Sequence, residues 1–196
     1  MSEINAQTDV TRIEPPFPED LTEELLDFWE TIFEIPCDGY RSILNGLERD
    51  NNHDIFYLIR KGKELGGTSH LTISKADPRL GGLGEVATPP EFRRQGIATA
   101  LCAHTLDDFC RLKGQAFFLG TVNPEAARVY HRLGWRRFAG TNVMALVREA
   151  ESMRDHAVRI KVHPRVAASL AGSDRPVVDE LEAFALLKTE VTAEGR

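Results

Sequence analysis

A chain of 196 residues with 42% hydrophobic and 28% charged residues can bury one core of ordinary size, which excludes a disordered protein or a membrane bundle. The formal net charge of −6 argues against a general nucleic-acid binder, and no apolar run approaches the roughly 20 residues that span a bilayer. Met1 to Gln7 lack the basic and then apolar order of a secretion signal, so the expected compartment is the cytoplasm.

Residues 1–8 are expected to fray, and Val10 to Glu14 predicts a first strand limited by Pro15, Pro16 and Pro18. From Asp20 the apolar positions Leu21, Leu25, Phe28 and Ile32 recur at helical spacing, with Trp29 beside them, until Pro36 stops the helix. Its acids Glu23, Asp27, Glu30 and Glu34 lie three and four residues apart, as a solvated face or as an attraction for a cationic amine. A second short helix fits Tyr40 to Leu47. Ile55 to Arg60, a turn at Lys61 to Glu64, and Leu65 to Ser74 read as a hairpin, in which Gly66 and Gly67 mark a bulge or a close backbone approach. Ala76 to Gly82 reads as a loop, followed by a strand from Leu83 to Thr88.

After Pro89 and Pro90, Gly96 opens a helix that is expected to bury Ile97, Leu101, Phe109 and Leu112, and Gly114 is expected to close it in the left-handed region. Ala116 to Gly120 reads as a buried strand, Asn123 and Pro124 as the cap and first residue of a helix, and Gly134 as its end, with Trp135 packed behind. Arg136 to Phe138 and Asn142 to Val147 supply two last strands. The sum is an α+β fold, a sheet with helices on both faces.

Cys37, Cys102 and Cys110 are odd in number and irregularly spaced, which suits structural thiols. The six histidines show no H-x-x-x-H spacing and no C-x-x-C accompanies them, so no metal is expected.

The order of strand, double proline, Arg93-Arg94-Gln95 and Gly96 before a helix that begins with small residues builds an anion site. Unpaired N–H groups at a helix N-terminus carry the positive end of the dipole, and two arginines add full charges. The missing Gly-Lys-Ser/Thr ending rules out a P-loop, and a single glycine in the turn rules out the dinucleotide fingerprint.

Arg93-x-x-Gly96-x-Ala98 resembles the acyl-CoA pyrophosphate signature (R/Q-x-x-G-x-G/A) of the GNAT N-acetyltransferase family. A second block, Asn123 to Trp135, is similar to that family's N-x-x-A-x-x-x-Y-x-x-x-G-F/W segment, with Tyr130 seven residues after Asn123. The resemblance covers residues 8–148 and implies a GNAT-like mixed, mostly antiparallel twisted sheet. It implies acetyl-CoA as co-substrate and an amine of a small molecule or peptide as acceptor, with no nucleic acid and no membrane as partner. The first two helices would sit over the acceptor side.

The resemblance assigns the backbone amides of Arg94, Gln95, Gly96, Ile97, Ala98 and Thr99 to the pyrophosphate, with Arg93 in the motif's Arg/Gln place. Arg94 either contacts phosphate oxygens or faces water. Val86, Ala87 and Thr88 would pair with the pantetheine arm like an added strand, and Asn123 caps its helix, contacts that arm, or does both. Tyr130 stands where the family has its general acid, or is a core tyrosine; Glu85 stands where many relatives carry the general base, or is an outward carboxylate. The family's other base position, five residues before the asparagine, is Phe118 here, which excludes that variant of the mechanism.

Residues 149–196 form a C-terminal extension in which 159–162 suggests a strand, 177–187 an amphipathic helix, and 189–196 a polar tail. It has too few apolar residues for its own core, so it packs on the main domain, on another subunit as in a homodimer, or on sequence outside this chain. Two functions stay open. One is an acetyl-CoA-dependent N-acetyltransferase working through a ternary complex; the other is a non-catalytic acyl-CoA sensor or docking module serving the extension.

Overall fold

The computed structural model describes residues 9–138 and 140–147. Residues 1–8, expected to fray, the extension at 149–196 and the elements expected within it lie outside the described residues. The strands are β1 (Val10–Ile13), β2 (Asn52–Lys61), β3 (Glu64–Ser74), β4 (Leu80–Ala87), β5 (Ala116–Gly120), β6 (Arg136–Arg137) and β7 (Val143–Val147). The helices are α1 (Glu19–Phe33), α2 (Arg41–Leu44), α3 (Ile97–Arg111) and α4 (Pro124–Arg132). The strands are hydrogen-bonded in the order β1-β2-β3-β4-β5-β7-β6, one mixed sheet of seven. β1 is antiparallel to β2, β5 and β6 are each antiparallel to β7, and β4 is parallel to β5. Two compact units divide the chain.

The first unit holds the described residues up to Thr72 together with Leu83–Asp108. α1 starts with Glu19 and Asp20 against its positive end and stops where Glu34 takes a left-handed φ of 57°. It buries Leu25, Leu26 and Trp29 against Phe56, Leu58, Leu65 and Ala87. Each such side chain removed from water is worth about 1.5–3 kcal/mol.

The pleat of β2 and β3 sorts their side chains between two helices. On one face Thr68 receives a hydrogen bond from the Trp29 indole of α1; on the other Ser69 meets Thr105 of α3 at 2.7 Å. In β2, Phe56 and Leu58 join the α1 core, and the Tyr57 hydroxyl between them donates to Asp108 of α3 at 2.7 Å. A strand covered on both faces reads as a continuous apolar run, as Ile55 to Ile59 does.

Gly67 is a close approach: a Cβ there would stand 2.6 Å from Ile97 Cγ2 and 3.0 Å from the Ala87 carbonyl oxygen. The second helix is shorter than its apolar spacing suggested. A single turn at Asp38–Tyr40 precedes α2, and Gly46, at φ 70°, sits in the turns that follow.

The second unit holds Ile73–Gly82 together with the described residues from Phe109 onward. Here β4 begins at Leu80, three residues before the expected start, because Gly81 and Gly82 belong to the ladder, paired with Phe117 and Phe118. A Cβ on Gly81 would stand 2.6 Å from the Phe109 ring, so the glycine that weakens strand propensity is what admits that ring.

The same ring corrects the end of α3. A Cβ on Gly114 would stand 2.1 Å from Phe109, and it is Lys113, at φ 64°, that takes the left-handed position expected of Gly114. Leu112, expected in the core, is 41% exposed beyond the helix end. Ile97, Leu101 and Phe109 are buried as expected, and Phe109 stacks on Phe117 at 4.5 Å.

Candidate active site

Glu85 lies in β4 at φ 44°, a left-handed value that carbon-substituted residues adopt at a cost of about 1–3 kcal/mol. Three side chains hold it there. Trp29 Nε1 donates to Thr68 Oγ1 at 3.0 Å, and the Thr68 hydroxyl donates to the Glu85 carbonyl at 2.7 Å. The Glu85 carboxylate meets His70 Nδ1 at 2.6 Å, with its side chain 11% exposed. The outward carboxylate is thereby replaced by an inward, partnered one.

His70 is buried and bridges two carboxylates, with Asp54 Oδ1 at 2.9 Å from its Nε2. The Thr72 hydroxyl donates to the same Asp54 oxygen at 2.9 Å, and the imidazole stacks on Phe56 at 4.0 Å. Burial alone would lower the imidazole pKa; the hydrogen bonds and charges of Asp54 and Glu85 outweigh it and push it up to about 9. The ring is therefore an imidazolium at neutral pH.

Around Glu85, burial raises the Tyr40 phenol pKa, helped by the charge of Glu85 and a hydrogen bond to it. The buried Cys37 thiol is raised by burial first, then by Glu30, Glu85 and Asp38. Among the acids of α1, Glu23 pairs with Arg41, and Glu30 accepts the Cys37 backbone N–H at 2.8 Å. Those two carboxylates serve the protein's own groups.

The same unit carries the rest of the strand–turn–helix motif. The parallel register of β4 with β5 takes in Leu80, Gly81 and Gly82, so Val86 and Ala87 lie beyond it. Ala87 is buried, Val86 half-buried, and Thr88 follows the strand. Arg93 Nε donates to the Thr88 carbonyl at 3.1 Å, and Gln95 Nε2 to the Glu91 carbonyl at 3.1 Å. Arg94 and Gly96 take left-handed φ values of 62° and 81°, and a Cβ on Gly96 would meet nothing within 4 Å.

Ala100 N–H donates to the Gly96 carbonyl at 2.9 Å. The N–H groups of Ile97, Ala98 and Thr99 precede this bond and have no intrahelical acceptor. Left-handed turns followed by such groups form an anion-binding concavity, and the open space at Gly96 fits a phosphate close to the backbone. The Ile97 side chain points the other way, into the contact with Gly67.

In the second unit, the Asn123 side chain accepts the N–H groups of Glu125 at 2.9 Å and Ala126 at 3.4 Å, the cap that Asn-Pro predicts. Seven residues on, Tyr130 is 6% exposed and packs on Trp135 with ring centroids 6.2 Å apart. The Trp135 N–H donates to the Tyr130 carbonyl at 3.1 Å, which fixes the end of α4.

Asp54 and His70 were not singled out by the sequence reading. The available signal was slight: Asp54 adjoins the apolar run Ile55 to Ile59, and His70 is the one titratable residue between Leu65 and Ser74.

The strand–turn–helix thus opens α3 on N–H groups that have no intrahelical acceptor, after left-handed turns at Arg94 and Gly96. The model of the GNAT acetyltransferase family matches residues 18–135, so the chain belongs to that family. No curated protein matches the chain. Among solved structures, a GNAT acetyltransferase from Staphylococcus aureus Mu50 is 17% identical, with TM-score 0.58, covering 71% of this chain and 99% of the other. The ribosomal-protein-S18-alanine N-acetyltransferase of Escherichia coli is 14% identical, with TM-score 0.54 and coverage of 71% and 94%. A Bacillus subtilis acetyltransferase in complex with CoA is 15% identical, with TM-score 0.52 and coverage of 71% and 98%. These likenesses show the fold, and family membership implies acyl transfer from CoA. Among the described residues no helix is long and apolar enough to cross a membrane.

Proposed function

We propose that the protein is an N-acetyltransferase that moves an acetyl group from acetyl-CoA to an amine of a small molecule or peptide by direct attack in a ternary complex. The single observation that carries this reading is the left-handed turn at Arg94 and Gly96 leading into the N–H groups of Ile97, Ala98 and Thr99, within a chain of this family.

The backbone of Arg94, Gln95, Gly96, Ile97, Ala98 and Thr99 holds the pyrophosphate, with Arg93 beside it. Val86, Ala87 and Thr88 pair with the pantetheine amides, an N–H of this stretch facing the oxyanion, and Asn123 contacts the same arm. Glu85 takes the proton of the ammonium, directly or through water. The amine nitrogen then attacks the thioester carbonyl. As the adduct collapses the carbon–sulfur bond breaks, and Tyr130 gives its phenolic proton to the departing thiolate. The second proton that the nitrogen loses as the amide forms returns through water to the Tyr130 phenolate. A phenol near pKa ~10 and a thiol near ~8.5 make that transfer workable. The reaction runs in the cytoplasm, where acetyl-CoA is supplied.

Isothermal titration with acetyl-CoA and with CoA tests the cofactor half of this reading. Saturable one-to-one binding of both is expected. Heat changes no greater than those of dilution would leave the turn at Gly96 as a helix entrance and refute the reading.

A further inference from the structure

We propose that Asp54 and His70 are positioning residues for Glu85, a buried carboxylate–imidazolium–carboxylate chain that fixes the base in one rotamer and leaves a site of net charge −1 for the acceptor's ammonium group. The proposal rests on the acyl-transfer reading, because it concerns the same base.

Three strands supply the chain: Asp54 from β2, His70 from β3 and Glu85 from β4. With side-chain exposures of 5%, 4% and 11%, the three are shielded from water, and the two contacts of 2.9 and 2.6 Å run through opposite nitrogens of one ring. Two carboxylates and one cation sum to −1, which favours a positively charged guest over a neutral one. His70 meets Glu85 Oε2, and the Tyr40 phenol also hydrogen-bonds this carboxylate, so the base is held from two sides.

The surroundings fix the sense of this coupling. The groups facing Glu85 are His70, the Tyr40 phenol and the Cys37 thiol. Those facing His70 are Asp54, Glu85, the Thr72 hydroxyl at 3.1 Å and the Phe56 ring. No second cation appears among these groups, so the imidazolium is what keeps two carboxylates compatible in one buried cluster. Its stacking on Phe56 adds a cation–π contact. The Thr68 hydroxyl on the Glu85 carbonyl holds the backbone of the same residue, so side chain and main chain are fixed from one strand.

The test uses the full chain without ligand and then with acetyl-CoA. In the apo protein, 15N NMR of histidine is expected to show both ring nitrogens of His70 protonated at pH 7.5, with a midpoint near pH 9. Asp54→Asn and Glu85→Gln should each lower that midpoint by about one unit or more. A wild-type midpoint near the ordinary ~6.5 overturns the proposal.

In thiol release from acetyl-CoA, using the fastest amine of a panel, His70→Gln should move the acid limb of kcat/KM upward by about one unit or more and lower kcat, with acetyl-CoA affinity unchanged. Asp54→Asn, which keeps the side-chain volume should the first variant fail to fold, should move the alkaline limb downward. If Glu85→Gln abolishes turnover while both variants keep wild-type limbs and kcat, the proposal fails and the transferase reading stands. If Glu85→Gln turns over like wild type, the assignment of the base fails, and the positioning role with it.

Discussion

The Thr68 hydroxyl donates to the Glu85 carbonyl at 2.7 Å while it accepts the Trp29 indole N–H at 3.0 Å. One buried threonine on β3 thus ties the core of α1 to the left-handed residue of β4. Thr68→Val removes both bonds at once and leaves the indole N–H buried without an acceptor. A loss of about 1–3 kcal/mol is expected in urea unfolding, since an orphaned buried donor costs its full desolvation. A change below about 0.5 kcal/mol would mean that Thr68 holds neither neighbour.

Gly67 and Gly96 are glycines for different reasons, and alanine separates them. At Gly67 a Cβ runs into Ile97 Cγ2 and the Ala87 carbonyl, so Gly67→Ala is expected to cost about 1–3 kcal/mol of stability. At Gly96 the space is open and φ is 81°, so Gly96→Ala should cost about 1 kcal/mol in stability through backbone strain alone. A bulkier residue at 96 should weaken acetyl-CoA binding further, by intruding where the pyrophosphate approaches. Unchanged binding by Gly96→Val would refute the phosphate site.

Stability should fall at alkaline pH through His70. Its folded pKa, near 9, lies above the ordinary ~6.5, so the folded state binds the extra proton. That stabilisation is complete below about pH 6.5 and is lost as pH rises through about 9. The melting temperature is expected to decline between pH 7 and 9.5, and Asp54→Asn should flatten the decline. Tyr40 and Tyr57, whose buried phenols are also raised, add to the loss only above about pH 10. A wild-type melting temperature that is level or rising across this window would contradict the imidazolium.

The parts of this fold that were legible are those written in consecutive residues. The left-handed turn into α3 lies within Arg93 to Thr99, and the cap of α4 within Asn123 to Ala126, so their spacing shows directly. The triad was not legible because Asp54, His70 and Glu85 belong to three strands, and only the pleat brings them to one face. The start of β4 was hidden for a related reason. Gly81 has poor strand propensity, yet it is required by the ring of Phe109, a residue 28 positions further along the chain. Gly114 misled in the same way, since its role is to make room for that ring while Lys113 turns the chain.

Tyr130→Phe separates chemistry from packing. The ring stays to fill the space against Trp135 and only the hydroxyl is lost, so stability should change little. A fall in kcat of about 100-fold or more, with acetyl-CoA affinity held, is expected of a general acid. Equal turnover would make Tyr130 a core residue and remove it from the mechanism.

The most direct measurement is thiol release from acetyl-CoA by the full chain across a panel of small-molecule and peptide amines. Release is expected to depend on both amine and enzyme and to yield the acetylated amine, seen by mass spectrometry. Tight binding of acetyl-CoA with no amine-dependent release from any member of the panel would contradict the transferase and leave a protein that holds acyl-CoA without transferring its acyl group.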